Sequence, residues 1–466
     1  MFSGLALLFL YPDSYQQDGG HHFLYARWAW KNPECFIGVW QRPVFCAVHA
    51  VPALAGYQAS RFWAALLSTL GAAFTWLTAR RLGISGSWRT IPFYLLQPAL
   101  FLMWSDTMTE PLFAVVLSAA LYAHYSGRRI LGAVLASLLI GTRPEGAFAA
   151  LVWGLMMLGS PAHGKNIVAR GTASLVLATG LLGWVLVSWA LSGDPLYIKH
   201  NWPPDWTAGG AAYGKGPIWE YVLRFPEIAG PLLMVPVAVG LWRTARQPGW
   251  RLVAALFLVT FGLHSVMRVF GLFGSAGYAR YFSGFAPCLA IAGCVGWNWL
   301  CQWKPVVFNR RVWSAVILLS FLINWWFVDG AAWNRDARAV KVMKNWLDQN
   351  HPDLPVDRFI WSQAYMDIAW DRDPWEKPAL PGNDHEVALA RLRALPPRTL
   401  ACWDAETGPA LSNLTVEDLR ACGFRLLHER AFQLPGWLPS YDAWGWGGKR
   451  RQTFYLLYKD SPAGGT

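Results

Sequence analysis

The chain reads as an α-helical polytopic membrane protein of about 11 transmembrane segments, followed by a small extracytoplasmic α/β domain. Three observations predict this. Of the 466 residues, 54% are hydrophobic and only 15% are charged, whereas soluble domains carry about a quarter charged residues. There are 30 Trp, and indoles favour the membrane–water interface. The net charge is +12, yet the arginines collect in short turns between apolar runs. That placement is the signature of cytoplasmic loops and argues against a nucleic-acid partner.

The elements follow in order. Residues 1–11 are apolar but too short for a bilayer that takes about 20 residues, so they stand as a partial first span. No signal-peptide cleavage pattern follows. A long outer loop covers about 12–60, and the second span is 62–78. It leads into an arginine-rich inner turn, RRLGISGSWR (80–89). The third and fourth spans are 91–104 and 111–125, with Arg128 and Arg129 inside. Two shorter apolar stretches, 130–142 and 147–158, are interrupted by RPEG (143–146). They read as a shallow hairpin with its tip outside, because Pro and charge do not face lipid unless they line a cavity. Span 172–191 precedes an outer loop containing SGDPLYIKHNWPPDW (192–206) that reaches about 225. The remaining spans are 226–242, 252–270, 281–300 and 312–328. Arginines between them again fall on one side, with the N-terminus inside.

From about 330 the pattern changes. Residues 334–350 alternate charged and apolar residues at helical spacing, and 358–361, 399–403, 424–429 and 453–458 read as short strands. Residues 415–422 read as a short helix capped by Thr415, with acids in its first turn. The domains are therefore 1–329, membrane-embedded, and 330–466, outside. Seven Cys do not make a disulfide scaffold. Cys35 with Cys46, and Cys402 with Cys422, share a compartment and either pair bridge there or pack as small buried thiols. Asn413-Leu414-Thr415 matches a glycosylation sequon by accident of composition.

The side free of arginine clusters holds Asp18, Asp106 and Glu110. Ionisable groups at a membrane border are expensive to hold, so several on one face mark a site. Asp18, beside His21 and His22, suits a general base for a hydroxyl, or equally a helix N-cap. Adjacent histidines usually face different directions, so no metal site is expected. Ser105 or Asp106 suits a cap for the fourth span, with Glu110 on its first turn, where acids favour the helix dipole. The functional alternative is that Asp106 or Glu110 orients an acceptor. Arg143 and Glu145 either pair with each other at a kink, or Arg143 meets an anion in a cavity. Arg280 and Arg42, at outer borders, touch lipid headgroups or clamp a phosphate bidentately. Lys199 and His200 lie in the loop after span 172–191, either solvated or facing an anion. No phosphate-loop glycine motif or HExxH is present, so no nucleotide cofactor is implied.

Taken together, Asp18, Asp106, Glu110, TRPEG (142–146), SGDPLY (192–197) and ARYFSGFAP (279–287) resemble the GT-C superfamily of integral membrane glycosyltransferases. That group includes protein O-mannosyltransferases, GPI mannosyltransferases and lipid A aminoarabinose transferase. The resemblance covers roughly 1–329. It implies a bacterial inner-membrane enzyme that takes a sugar from a polyprenyl-phosphate donor. The acceptor is a lipid, glycan or protein hydroxyl, attacked on the extracytoplasmic side with inversion and without a cofactor or required metal. It implies Asp18 as base, with Glu110 and Asp106 beside it. Arg280, Arg42 and Arg143 meet the donor phosphate, and His21, His22, Glu145, Lys199 and His200 meet the substrates. The first span is shorter than the family's, and the C-terminal domain matches no known type. The alternatives are a lipid or glycolipid transporter, which would show inverted repeats and broken spans, and an inactive binding protein of the same fold.

Overall fold

The computed structural model describes residues 17–160, 166–206, 214–332, 335–376, 384–439, 441–442, 445–446 and 450–460. The partial span 1–11 lies outside the described residues. Among the described residues the protein is mostly helical with two small sheets, the larger of them mixed, and it divides into two compact units. One contains Tyr25–Phe327; the other contains Val328–Thr466 together with the described residues of the N-terminal stretch up to Leu24.

Among the described residues of the helical unit, four helices are long and apolar enough to cross a membrane: Tyr57–Arg81, Ile167–Ser192, Arg251–Phe270 and Ala279–Trp303. Shorter apolar helices are Pro43–Leu54, Arg129–Thr142 and Gly146–Gly159. Ala279–Trp303 is mostly buried and forms the centre, whereas Ile167–Ser192 is largely exposed and turns Leu182, Leu186 and Trp189 outward. Tyr57–Arg81 carries Ser60, Ala64, Ser68, Gly71, Thr75 and Thr78 at helical spacing, and all six are buried. Small residues in such a row let backbones approach closely where apolar burial alone gives no attraction between helices. This helix packs against Thr109–Tyr125. Arg80 and Arg81 fill its last turn, where cations suit the dipole.

Three local features differ from the sequence-based expectations. The first outer loop is largely helical, with Gln17–Trp28, Pro33–Phe36 and Pro43–Leu54. The stretch 91–104 breaks into Thr90–Leu95 and Pro98–Leu102, because Pro98 holds the preceding Gln97 extended (ψ 119). The helix of the fourth span starts at Thr109 with Met108, rather than Ser105 or Asp106, at the N-cap position.

The second unit carries strands β1 (Arg358–Trp361), β2 (Thr399–Asp404), β3 (Phe424–Gln433), β4 (Tyr441–Asp442), β5 (Gly445–Trp446) and β6 (Arg451–Lys459). The larger sheet runs β1-β2-β6-β3, with β1 and β2 parallel and the other pairings antiparallel. Its core gathers Ile360, Leu392, Trp403, Leu419 and Leu457. Helix Val416–Ala421 has Thr415 at its N-cap in a reciprocal capping box with Asp418, which satisfies two otherwise unpaired backbone donors.

All seven cysteines are free thiols. Cys35 and Cys46 pack with Ala29 in a small buried cluster, and Cys402 and Cys422 are buried in the second unit.

Candidate active site

The helical unit buries four charged side chains in one cluster. Glu110 lies on the first turn of Thr109–Tyr125 and is wholly buried. Its Oε1 meets Arg143 Nη1 at 2.7 Å. Arg143 also grips Glu145 bidentately, with Nη2 2.8 Å from Oε1 and Nε 3.2 Å from Oε2. A third bond from Arg143 Nη1 reaches Thr109 Oγ1 at 3.0 Å. Arg280 Nε stands 3.8 Å from Glu110 Oε1. Two carboxylates and two guanidiniums balance, as buried charges must.

Local chemistry explains how the chain builds this. Pro144 forces Arg143 into an extended conformation (φ −159, ψ 148), which ends helix Leu139–Thr142. Glu145 then takes the N-cap position of Gly146–Gly159 without a side-chain cap bond, its carboxylate near the positive end of that helix. A side chain at Gly146 would strike the backbone of Leu139 and Ile140, so glycine lets the two arms of the hairpin cross. Arg280 enters from the 3₁₀ segment Ala279–Phe285, its guanidinium 5.0 Å from the Tyr278 ring centroid and its Nη1 3.7 Å from Met108 Sδ.

Aromatic and polar groups extend the cluster. His264 stacks on Tyr281 (5.2 Å, 18°), and Arg143 lies 5.8 Å from the same Tyr281 ring. His264 Nε2 is 4.0 Å from Glu145 Oε1, while its Nδ1 is 3.3 Å from Ser275 Oγ. Ser275 Oγ in turn is 2.8 Å from the Tyr221 hydroxyl, which accepts from the Gly277 amide at 3.2 Å. The sequence reading passed over His264, Thr109, Tyr221, Ser275 and Tyr281. A histidine inside the apolar run 252–270 was the available signal, since ionisable groups in spans usually face a bundle interior. It also passed over Arg61, buried in Tyr57–Arg81, whose Nε donates to Ser105 O at 3.0 Å and whose Nη2 donates to Ser105 Oγ at 3.3 Å.

The other candidates are placed as follows. Asp106 is buried, and its amide donates to Met103 O. Arg42 is buried at a left-handed φ of 63, with Nη1 donating to Val39 O at 2.9 Å and the guanidinium 4.9 Å from the Trp206 ring. A non-glycine residue in that region carries strain and draws attention to the position. Lys199 and His200 lie on the exposed turn Tyr197–His200, outside the cluster, with His200 Nδ1 2.7 Å from Asp194 Oδ2. That bond, and then the Leu196 amide, hold the Asp194 carboxyl below its ordinary range.

Asp18, His21 and His22 lie on helix Gln17–Trp28, in the N-terminal stretch that groups with the second unit. Asp18 sits within the first turn rather than at the cap, half-buried; His21 is half-buried and His22 is buried. A β-carbon at Gly20 would lie 3.2 Å from Ala364 Cβ and 3.3 Å from Tyr365, so the helix rests on Ala364–Trp370 through its small residue.

No protein-family model matches the chain, and no curated protein matches it. Among solved structures it is similar to ArnT from Cupriavidus metallidurans. The apo ArnT crystal structure aligns with TM-score 0.58 and 14% identity over 94% of this chain and 93% of that one. The ArnT structure bound to undecaprenyl phosphate aligns with TM-score 0.59 and 13% identity over 97% and 96%. An oligosaccharyltransferase from Archaeoglobus fulgidus, tethered with an acceptor peptide, aligns with TM-score 0.45 and 10% identity over 88% and 68%. The chain thus has an ArnT-like fold.

Proposed function

We propose that the protein is an inverting membrane glycosyltransferase that takes a sugar from a polyprenyl-phosphate donor and places it on a hydroxyl. The observation that carries this reading is the buried cluster of Glu110, Arg143, Glu145 and Arg280 in a unit of ArnT-like fold. A buried four-charge cluster is costly to keep for stability alone, because an apolar replacement of similar volume often does as well. Two guanidiniums suit the leaving phosphate, and an ArnT structure holds undecaprenyl phosphate.

In this reading Asp18 takes the proton from the acceptor hydroxyl. The oxygen attacks the anomeric carbon, the bond from that carbon to the phosphate oxygen breaks, and polyprenyl phosphate leaves. Negative charge builds on the phosphate during the step. Arg280, with Arg42 and Arg143 in support, stabilises it more in the transition state than in the ground state. Glu110 and Glu145 hold the arginines, and Asp106 orients the acceptor with Glu110. His21, His22, Lys199 and His200 contact the substrates. Residues 1–329 form the catalytic domain of about 11 spans in the bacterial inner membrane, and 330–466 form an extracytoplasmic domain. Hexosyl or mannosyl transfer is the expected class, and no cofactor is required.

The test is Asp18→Asn, which keeps size and removes the base. Transfer of radiolabelled sugar from a polyprenyl-phosphate donor in membranes should fall about a hundredfold or more, the usual scale for a general base, with unchanged expression. Near-normal transfer would leave Asp18 as a helix-terminal acid only.

A further inference from the structure

A second feature of the helical unit stands apart from the charged cluster: a half-open groove of about 940 Å³ lined by 88–104, 297–301 and 308–321. This volume is at the upper end of small-molecule sites, roughly 300–1,000 Å³. Its wall is mainly aromatic and aliphatic, including Trp88, Phe101, Trp313 and Phe321. Among the described residues its only charged lining residues are Arg89 and Arg310, and no acid lines it.

Arg89 is set in place. Its Nη1 donates to Asn298 Oδ1 at 2.9 Å, and the Asn298 amide donates to Ser85 O at 2.6 Å, which fixes the turn that carries it. Gly86 holds a left-handed φ of 59, and a β-carbon there would strike the Arg89 guanidinium. The guanidinium lies 5.4 Å from the Trp88 ring and 5.9 Å from the Trp313 ring. No carboxylate pairs with Arg89 among the described residues, and its buried Nε has no hydrogen-bond partner. An arginine held this way needs an anion with an apolar body attached, because the wall offers nothing to a free, hydrated ion.

Arg89 belongs to the arginine-rich turns, with Arg80, Arg81, Arg310 and Arg311. Basic residues flanking apolar spans meet anionic headgroups of the cytoplasmic leaflet. Trp88 and Leu318 are each more than half exposed, so the groove opens outward rather than into the unit. We propose that the groove holds one anionic glycerophospholipid, its phosphate on Arg89 and Arg310 and its acyl chains along the Trp313–Phe321 wall. The assignment is independent of the transfer reaction and concerns a different ligand.

Native mass spectrometry of the full-length protein in detergent tests it, with dioleoylphosphatidylglycerol, dioleoylphosphatidylcholine and undecaprenyl phosphate as probes. One phosphatidylglycerol should be retained in preference to phosphatidylcholine. Each basic residue near a lipid headgroup contributes roughly fivefold, so R89Q/R310Q should weaken phosphatidylglycerol binding roughly 25-fold, and R89K/R310K much less. Ile317→Trp, which fills the groove and leaves both arginines, should exclude the lipid even if R89Q/R310Q fails to fold. Equal retention of the two phospholipids would overturn the proposal. So would undiminished binding by Ile317→Trp, or undecaprenyl phosphate displacing phosphatidylglycerol at equimolar concentration.

Discussion

Arg143→Met offers the sharpest physical test of the charged cluster. Methionine keeps the length of the side chain and removes its charge and donors. Arg143 lies 2.7 Å from Glu110 and 2.8 Å from Glu145, and it donates to Thr109 at 3.0 Å. The Glu110 and Glu145 side chains are 0% and 5% exposed, so water cannot replace the lost partner. Removing one partner of a buried ion pair costs about 3–5 kcal/mol. Two carboxylates share this arginine, so the upper end, about 5 kcal/mol, is expected; Arg280 at 3.8 Å from Glu110 limits the excess. Glu145→Gln in the same background removes one stranded charge. The double variant should therefore be more stable than the sum of the two single effects, by about 2 kcal/mol, within the range for directly coupled residues. Reversible unfolding in mixed micelles, followed by tryptophan fluorescence, measures all three variants. An Arg143→Met loss below about 1 kcal/mol, or additivity within about 0.5 kcal/mol, would refute the view that one guanidinium holds both acids.

Other outcomes follow from single features. Arg280→Lys keeps charge but loses the two-pronged donor, so sugar transfer should fall moderately, and Arg280→Ala severely; near-normal kinetics for Ala would move the phosphate to Arg42 or Arg143. Thiol titration of the native protein should leave Cys35, Cys46, Cys288, Cys294, Cys402 and Cys422 unreactive, with Cys301 the most accessible; unfolding without reductant should release all seven, and fewer would mean a bridge. Single cysteines at Ser87, Gln247 and the exposed Glu417, in a background lacking reactive native thiols, should react with an impermeant reagent on intact cells only at Glu417. Arg425 Nε donates to Asp460 Oδ2 at 2.7 Å and holds that carboxyl below its ordinary range. Its stabilisation is present above the usual aspartate value of about 3.9 and fades as pH falls through the lowered value. Asp460→Asn should therefore lower the melting temperature slightly at pH 7 and not at pH 2, and an equal shift at both would remove the charge from the account.

The sequence alone determined what depends on neighbours a few residues apart. The strand at 358–361, the Thr415 cap, the kink at RPEG and the local pairing of Arg143 with Glu145 all arise from spacing, turn residues and capping chemistry. The segregation of arginines into alternate turns was equally plain, because it reflects the membrane rather than the fold. Tertiary structure decided which side chains share a buried site. Arg143 reaches Thr109 across 34 positions and Arg280 reaches Met108 across 172, and no local rule selects those partners. His264, Tyr221 and Ser275 joined the cluster for the same reason: helix packing brings one face of each segment inward, and only that packing chooses the face. The pairing of Arg61 with Ser105, and the acid-free groove around Arg89, likewise exist only once the helices are assembled. Local sequence sets the cost of burying a charge, and the three-dimensional packing supplies the opposite charge that makes the burial possible.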